Sequence, residues 1–247
     1  MHWILQNNLF NEAAYGVLLE TLERFELPYS IHKVIPFVGD LIPEPDIGHK
    51  NVICMGSYSM RHYSKRKIWT PGVFDLEPCT FEVQRKKWGT EMLNYDSVVY
   101  AFKDANLDWP EAFIRPIEDS KVFAGAVFER DAFREWQRKV VVLEEDYGNS
   151  LTKDTLIQVT QPKVIFSEYR FWVVMGDIVC GSLYKRGDKV IYSDQVDEVF
   201  FSYVRDRIAT WMPHAAFVID VCDTPDGIKI VEINTLNSSG FYACDIP

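Results

Sequence analysis

Two carboxylates and one amide near the C-terminus have the residue types of a metal site. Asp220 lies in the apolar run FVIDVCD, and Glu232 and Asn234 alternate with apolar residues in IKIVEIN. Strand alternation puts Ile230, Glu232 and Asn234 on one face, and a turn at TPDG would pair the two strands antiparallel, with Asp220 close to Glu232. Two such charges repel unless a cation lies near them. Carboxylate and amide oxygens suit Mg²⁺, so the row predicts a magnesium site.

An alternative for this hairpin stays open, because a face turned to solvent would carry two carboxylates without any cation. The strand runs directly into a loop with Asn237, Ser238, Ser239 and Gly240. The amides and hydroxyls of such a loop can hold an acceptor molecule near a phosphate group. The two serines would equally serve as caps of a terminal turn.

Magnesium that is bound through phosphates needs further positive charge around it. The middle of the chain supplies five cations, at Arg115, Lys121, Lys163, Arg170 and Lys185. Arg170 and Glu168 fall on the same face of one apolar strand, so a structural ion pair between them is a rival interpretation. Each cation is weak evidence alone, and the acidic C-terminal set strengthens the case for all of them.

The elements that would position these residues alternate between strands and helices. WILQ at 3–6 reads as a strand, residues 11–25 have helical apolar spacing with Asn11 as a cap, and SIHKVIPF at 30–37 reads as a strand, which predicts a β-α-β start. In the rest of the chain, short strands and hairpins mix with helices, which favours an α+β architecture. The basic run RHYSKRK at 61–67 is expected to be a solvated loop.

Composition excludes several classes of protein. The chain has 247 residues and a net charge of −10, which argues against a nucleic-acid-binding protein because phosphate neutralisation needs a basic face. Its five cysteines form no C-x-x-C pair and predict reduced thiols. The start MHWILQNNLF lacks the features of a signal peptide, and no apolar run is long enough to span a membrane. We therefore expect a cytoplasmic protein without nucleic-acid or membrane partners.

The order of these residues resembles a known family. Arg115, Lys121, Lys163, EYR at 168–170, SLYK, the strand around Asp220 and VEIN followed by SSGFY are similar to the ATP-grasp fold. The resemblance is closest to the divergent clade named for one conserved arginine and two lysines, which also contains a eukaryotic translation-initiation assembly factor.

The resemblance covers roughly residues 90–245 and implies a two-lobed α+β fold. It implies a small α/β pre-ATP-grasp lobe over 1–88, an ATP-grasp N-terminal subdomain over 89–160 and a C-terminal subdomain with the metal site over 161–247.

The resemblance also implies roles for single residues. Asp220, Glu232 and Asn234 would hold Mg²⁺ on the phosphates of ATP, Arg170 would stabilise the charge on the transferred γ-phosphoryl group, and Lys185 would assist. The segment IQVTQP would be a hinge whose backbone meets the adenine edge. The residues expected to bind ATP are Arg115, Lys121, Gln158, Val159, Thr160, Lys163 and Glu168.

The function implied is that of an ATP- and Mg²⁺-dependent ligase that joins a carboxylate to an amine through an acylphosphate, on a small molecule, a peptide or a protein. This chemistry needs positioning and charge neutralisation rather than a side-chain nucleophile. Two alternatives remain. One is an ATP-binding assembly factor or chaperone that clasps a partner protein with little turnover, and the other is a small-molecule kinase with a hydroxyl acceptor.

Overall fold

The computed structural model of the chain describes residues 1–7, 13–117, 123–142 and 151–244, without the side chains at positions 13 and 14. The predicted α+β class is confirmed, because helices accompany three separate sheets. Packing divides the chain into a first unit, Met1–Leu76 with Ile165–Pro247, and a second unit, Glu77–Val164. These limits differ from the expected ones after residues 88 and 160, and the three-domain division stays a prediction. No helix in the described ranges is long and apolar enough to cross a membrane.

The first sheet belongs to the first unit. Its elements are β1 His2–Gln6, α1 Ala13–Arg24, β2 Tyr29–Val34, β3 Leu41–Ile42, β4 Asn51–Met55, α2 Met60–Lys67 and β5 Thr70–Gly72. The strand order is β3-β2-β1-β4-β5, and every pair except β2 with β3 is parallel. Ile4 and Leu5 of the central strand are both completely buried, as expected for a parallel sheet with two covered faces. The predicted β-α-β start is confirmed.

The basic run at residues 61–67 forms helix α2, so the expected loop is wrong. Met60, Tyr63 and Ser64 are buried, at the spacing that places them on one side of a helix. The basic side chains form ion pairs within the same unit, which are Lys65 with Asp75 at 2.5 Å, Lys67 with Glu44 at 2.8 Å, and Arg66 with Asp40. The pattern was missed because a short helix with one buried side has too few apolar residues to show a period.

The described part of the second unit contains an antiparallel sheet and two helices. Its elements are α3 Phe81–Trp88, β6 Val98–Ala101, β7 Glu111–Pro116, β8 Ala126–Glu129, α4 Arg130–Val142 and β9 Leu156–Thr160, with 3₁₀ turns at Gly89–Glu91 and Phe102–Asp104. The strand order is β6-β9-β7-β8. Helix α4 packs Phe133 and Trp136 against Phe102, with ring centroids 5.4 and 4.8 Å apart.

The second sheet of the first unit is a five-stranded antiparallel sheet. Its elements are β10 Ser167–Val174, β11 Asp177–Arg186, β12 Lys189–Ser193, α5 Glu198–Thr210, β13 Ala216–Thr224 and β14 Gly227–Asn234, followed by a 3₁₀ turn at Leu236–Ser238. The strand order is β12-β11-β10-β13-β14. The predicted hairpin around PDG is confirmed, since Thr224 pairs with Gly227.

The two faces of this second sheet differ in chemistry. One face packs on α5, where the ring of Tyr169 lies 4.0 Å from that of Phe200 and the ring of Phe171 lies 5.1 Å from that of Phe201. Alternation puts the intervening residues of β10 on the other face, which we call the site face. Its central cross-strand pairs are Glu168 with Cys222, Arg170 with Asp220, and Trp172 with Val218.

Residues 235–244, which we call the C-terminal segment, join the two sheets of the first unit. Asn237 is 1% exposed, and its amide nitrogen donates to the carbonyls of Cys54 and Gly72, the latter at 3.3 Å. Its amide oxygen accepts from the Phe74 N–H at 2.7 Å, and its backbone carbonyl accepts from the Gly56 N–H at 2.7 Å. One side chain therefore ties the segment to the ends of β4 and β5.

Replacing Asn237 by alanine should destabilise the protein, because it leaves the buried partners of its amide unpaired. A buried polar group without a partner costs about 1–3 kcal/mol, so we expect the free energy of unfolding to fall by at least about 2 kcal/mol in urea denaturation. Asn51→Ala, at the exposed start of β4, is the control and should change stability by less than about 0.5 kcal/mol. Equal midpoints for the two variants would contradict the joining role of Asn237.

Candidate active site

The predicted metal ligands come together on the site face. Asp220 pairs with Glu232 across β13 and β14, and Val218 pairs with Asn234, so the expected approach of Asp220 to Glu232 is confirmed. The side-chain nitrogen of Asn234 donates to Asp220 Oδ2 at 3.3 Å and to Glu232 Oε1 at 3.1 Å. The three polar side chains therefore form one cluster, while their role as metal ligands stays a prediction.

Ile230 does not share the face of Glu232, contrary to the expected alternation. The register shifts after Asp220, so that Val221 pairs with Ile230 and Val231 is the extra residue on β14. A β-bulge of this kind re-aims the side chains on either side of it. Ile230 is completely buried on the face that packs on α5, whereas Glu232 is partly exposed.

Arg170 pairs with Asp220, so the interpretation that pairs it with Glu168 is wrong. Its Nε donates to Asp220 Oδ1 at 2.8 Å and its Nη2 donates to Oδ2 at 2.7 Å, which is a bidentate ion pair. Arg170 is 7% exposed and Asp220 is 1% exposed. The physical reason is distance, because cross-strand neighbours have Cβ atoms about 5 Å apart whereas residues two apart along a strand are separated by about 6.6 Å.

Burial and pairing act in opposite directions on these two groups. Burial raises the pKa of Asp220 to about 6, although the Arg170 charge and hydrogen bonds act to lower it. Burial acts to lower the pKa of Arg170, but the Asp220 carboxylate raises it above its ordinary value. Arg170 therefore stays charged, and Asp220 ionises in this place because a cation adjoins it.

Glu168 binds two neighbouring residues of β11 through its two oxygens. Lys185 Nζ donates to Oε1 at 2.7 Å and the Tyr184 hydroxyl donates to Oε2 at 2.8 Å. Glu168 pairs with Lys185 whereas Tyr169 pairs with Leu183, so Tyr184 is an extra residue at a second bulge. That bulge lets consecutive side chains reach one carboxylate. Burial, helped by nearby carboxylates, raises the pKa of Tyr184, which keeps its hydroxyl a donor.

The C-terminal segment covers the buried ion pair. The Gly240 carbonyl accepts from Arg170 Nη1 at 3.3 Å, and the Tyr242 ring centroid lies 4.6 Å from Arg170 Cζ. Sequence reasoning missed Tyr184 and Tyr242. Both directly adjoin motif residues, in SLYK and SSGFY, and an aromatic residue at such a place is the signal that could have identified them.

The residues of the predicted substrate loop divide into two kinds. Asn237 and Ser239 are buried and bonded within the chain, the latter through a hydrogen bond from its hydroxyl to the Thr235 carbonyl at 2.8 Å. Ser238 and Gly240 are partly exposed. The first two have structural contacts, and the last two keep the surface that the loop prediction requires.

In the second unit, Asp96 holds two of the expected ATP-binding residues. Lys163 Nζ lies 2.5 Å from Asp96 Oδ2, and the Thr160 hydroxyl donates to Oδ1 at 3.0 Å. Lys163 lies just beyond the end of β9, so a fixed carboxylate positions it on an irregular segment. The side chain is therefore held in place before any ligand binds.

The remaining expected ATP-binding residues of this unit lie mostly on strands. Gln158 and Val159 are buried within β9, where the Gln158 amide oxygen accepts from the Ser97 hydroxyl at 3.3 Å. Arg115 is partly exposed on β7 and pairs with Gln158. The expected hinge is thus strand as far as Thr160. Lys121 lies outside the described residues.

The Asp220, Glu232 and Asn234 cluster is the arrangement on the site face that suits a hard cation. Groups of three or more His, Cys, Asp or Glu able to hold a metal are absent from the described ranges. The cluster has two carboxylates and an amide, and rotating the Asn234 amide by half a turn would exchange its nitrogen for its oxygen. Three oxygen donors would then face one another, which is favourable only around a cation. The donor set therefore fits Mg²⁺.

A family model matches residues 59–247, and it describes family 3 of the ATP-grasp clade that is named for one arginine and two lysines. The chain belongs to this family, which confirms the predicted superfamily and clade and makes the chain an ATP-dependent ligase of the ATP-grasp type. The relation to the eukaryotic assembly factor stays a prediction. No curated protein matches the chain.

Solved structures share the fold of this chain. A RimK domain protein ATP-grasp from Sphaerobacter thermophilus DSM 20745 has a TM-score of 0.65 at 10% identity, covering 97% of this chain and 92% of that one. The D-alanine–D-alanine ligase from Bacillus anthracis complexed with ATP has 0.59 at 9%, covering 95% and 86%. The ATP-grasp ligase PsnB complexed with precursor peptide PsnA2 and AMPPNP has 0.55 at 10%, covering 99% and 93%. Identities this low show the fold alone.

Replacing Arg170 by alanine should destabilise the protein, because it leaves Asp220 buried without its cation. Breaking a buried pair costs about 3–5 kcal/mol, which urea denaturation at neutral pH would measure. Arg205→Ala removes one partner of an exposed pair with Glu198 and should cost less than about 1 kcal/mol. If Arg170→Ala is no less stable than this control, the pair does not have the energetic role assigned to it.

Proposed function

We propose that this chain joins a carboxylate to an amine at the expense of ATP, with Mg²⁺ as the metal. The observation that carries the proposal is the convergence of Asp220, Glu232 and Asn234 beside the buried Arg170. Membership of an ATP-grasp family supports ATP as the nucleotide. Neighbouring oxygen donors and a fixed guanidinium are what the transfer of a phosphoryl group requires of a protein.

The site residues would act mainly by position and charge. Asp220, Glu232 and Asn234 would hold Mg²⁺, which when bound neutralises phosphate charge. Arg170 is oriented beforehand by its two bonds to Asp220, so little reorganisation is needed when it meets a developing negative charge. Lys185 is oriented in the same way by Glu168.

The proposed reaction has two steps, and neither needs a side-chain nucleophile. The substrate carboxylate attacks the γ-phosphorus of ATP and ADP leaves, which forms an acylphosphate. The amine then attacks the acyl carbon, phosphate leaves, and the amine loses a proton. Ser238 and Gly240, partly exposed beside this site, would line the place of the acceptor.

Amino acids and peptides are the substrates to test first. Two structures with the same fold are named as a D-alanine–D-alanine ligase and as a ligase complexed with a precursor peptide. An assembly factor that clasps a protein would instead bind nucleotide without acceptor-dependent turnover. A kinase would release ADP while forming a stable phosphate ester, so the product separates the three functions.

Replacing Glu232 by glutamine should weaken the dependence on Mg²⁺ at least about tenfold, because a metal ligand loses its charge. The measurement is ADP release with pools of amino acids and dipeptides, titrated with Mg²⁺. Asp226→Asn, in the exposed turn of the same hairpin, is the matched control and should behave as wild type. Wild-type protein that binds ATP yet releases no ADP with any carboxylate and amine would refute the ligase.

Replacing Lys163 by alanine should weaken nucleotide binding, because a charged donor to a phosphate contributes about 1.5–3 kcal/mol, or about 10- to 100-fold in affinity. Thermal shift with AMPPNP and Mg²⁺ measures the effect, since ligand binding to the folded state raises its stability. Lys103→Ala removes one partner of another Lys–Asp pair in the same unit and should leave binding unchanged. Equal affinities for the two variants would remove Lys163 from the nucleotide site.

A further inference from the structure

Three tyrosine rings meet on the site face beside Arg170, and we call them the tyrosine cluster. Tyr242 stacks on Tyr184 with centroids 5.0 Å apart and on Tyr192 with centroids 5.3 Å apart, at interplanar angles of 26° and 15°. Arg170 Cζ lies 4.6 Å from the Tyr242 centroid and 5.7 Å from that of Tyr184. A ring at the place of Tyr242 thus gains two aromatic partners and one cation.

The members of the cluster differ in how firmly the fold holds them. Tyr184 lies on β11, where its hydroxyl binds Glu168, and Tyr192 lies on β12. Tyr242 comes from the C-terminal segment, and its φ of 54° is in the left-handed region, which costs a non-glycine residue about 1–2 kcal/mol. The two strand tyrosines and Arg170 form a fixed platform, on which Tyr242 is the strained member.

The platform is open to solvent at its outer end. Tyr192 is 57% exposed, while Tyr184 and Tyr242 are partly exposed. A ligand can therefore approach over Tyr192. At the inner end lies Arg170, the residue expected to meet the transferred phosphoryl group. A ring stacked on this platform would hold a carboxylate attached to it close to that arginine.

We propose that the platform of Tyr184, Tyr192 and Arg170 is an acceptor subsite for an aromatic amino acid or a peptide residue with an aromatic side chain. In the resting chain Tyr242 occupies this subsite. The assignment as an acceptor subsite rests on the proposed ligase function. Binding of the acceptor ring requires that Tyr242 leave the platform, and the strain at Tyr242 lowers the free-energy cost of that exchange.

The exchange predicts a particular pattern of affinities. A ring tethered to the same chain competes at an effective concentration in the millimolar range, so free aromatic ligands should bind the wild type weakly. Removing the tethered ring should strengthen their binding. Removing Tyr192 should weaken it, because one stacked aromatic pair contributes about 0.5–1.5 kcal/mol, or about two- to tenfold in affinity.

The test uses N-acetyl-L-tyrosine as the probe and N-acetyl-L-leucine as its aliphatic counterpart, titrated by calorimetry into the full chain. Tyr242→Ala should bind the tyrosine probe at least fivefold more tightly than wild type, with no gain for the leucine probe. Adding Tyr192→Ala to that variant should abolish the gain. Tyr203→Ala is the matched control, because Tyr203 also lies beneath an arginine, at 4.9 Å, but on α5, which packs on the other face of the sheet.

Each outcome decides the proposal. Equal affinities of wild type and Tyr242→Ala for the tyrosine probe, or an equal gain for leucine, would overturn it and leave the cluster as a cover for the ion pair. If Tyr242→Ala does not fold, the single variant Tyr192→Ala decides, since an exposed side chain is removed and weaker tyrosine binding is expected. Unchanged binding there would also overturn the proposal.

A parallel thermal shift with AMPPNP and Mg²⁺ separates this inference from the proposed function. A nucleotide shift without selectivity for the aromatic probe refutes the subsite alone. Aromatic selectivity without any nucleotide shift refutes the ligase function while it supports an aromatic site at the platform.

Discussion

The buried ion pair between Arg170 and Asp220 is the interaction on which the rest of the site face depends. Removing two charges from water costs several kcal/mol per ion, which only good geometry and further hydrogen bonds offset. The pair meets that requirement with two short bonds between adjacent strands at the centre of the sheet. Asn234, the Gly240 carbonyl and the ring of Tyr242 then take up the remaining contacts around it. Residues that would otherwise seem separate thus form one electrostatic unit.

Two β-bulges place the polar side chains around that pair. The extra residue Val231 sends Ile230 into the core while Glu232 stays beside Asp220. The extra residue Tyr184 brings two consecutive side chains to one carboxylate, Glu168. Bulges of this kind bend a strand locally without disturbing the sheet, which is why they recur next to functional sites. In this state the cations of the site face have carboxylate partners, so a bound nucleotide would exchange partners with them.

Much of the fold and part of the site could be read from local patterns. The β-α-β start, the antiparallel hairpin and the approach of Asp220 to Glu232 each depend on alternation and turn residues within about fifteen positions, which short-range rules describe well. The partner of Arg170 and the helix at Met60–Lys67 could not be read in this way. Arg170 had two carboxylates within plausible reach, and the helix shows its buried side only against the first sheet.

The sequence by itself determined the residue types, their order and the hairpin that brings oxygen donors together, because these follow from periodicity and from turn chemistry. Tertiary structure decided the two bulges, the bidentate pair and the joining role of Asn237, whose amide meets Cys54 at a separation of 183 positions. No local pattern encodes such contacts. A bulge adds one residue without changing composition, and a buried amide finds its partners only after distant strands have packed.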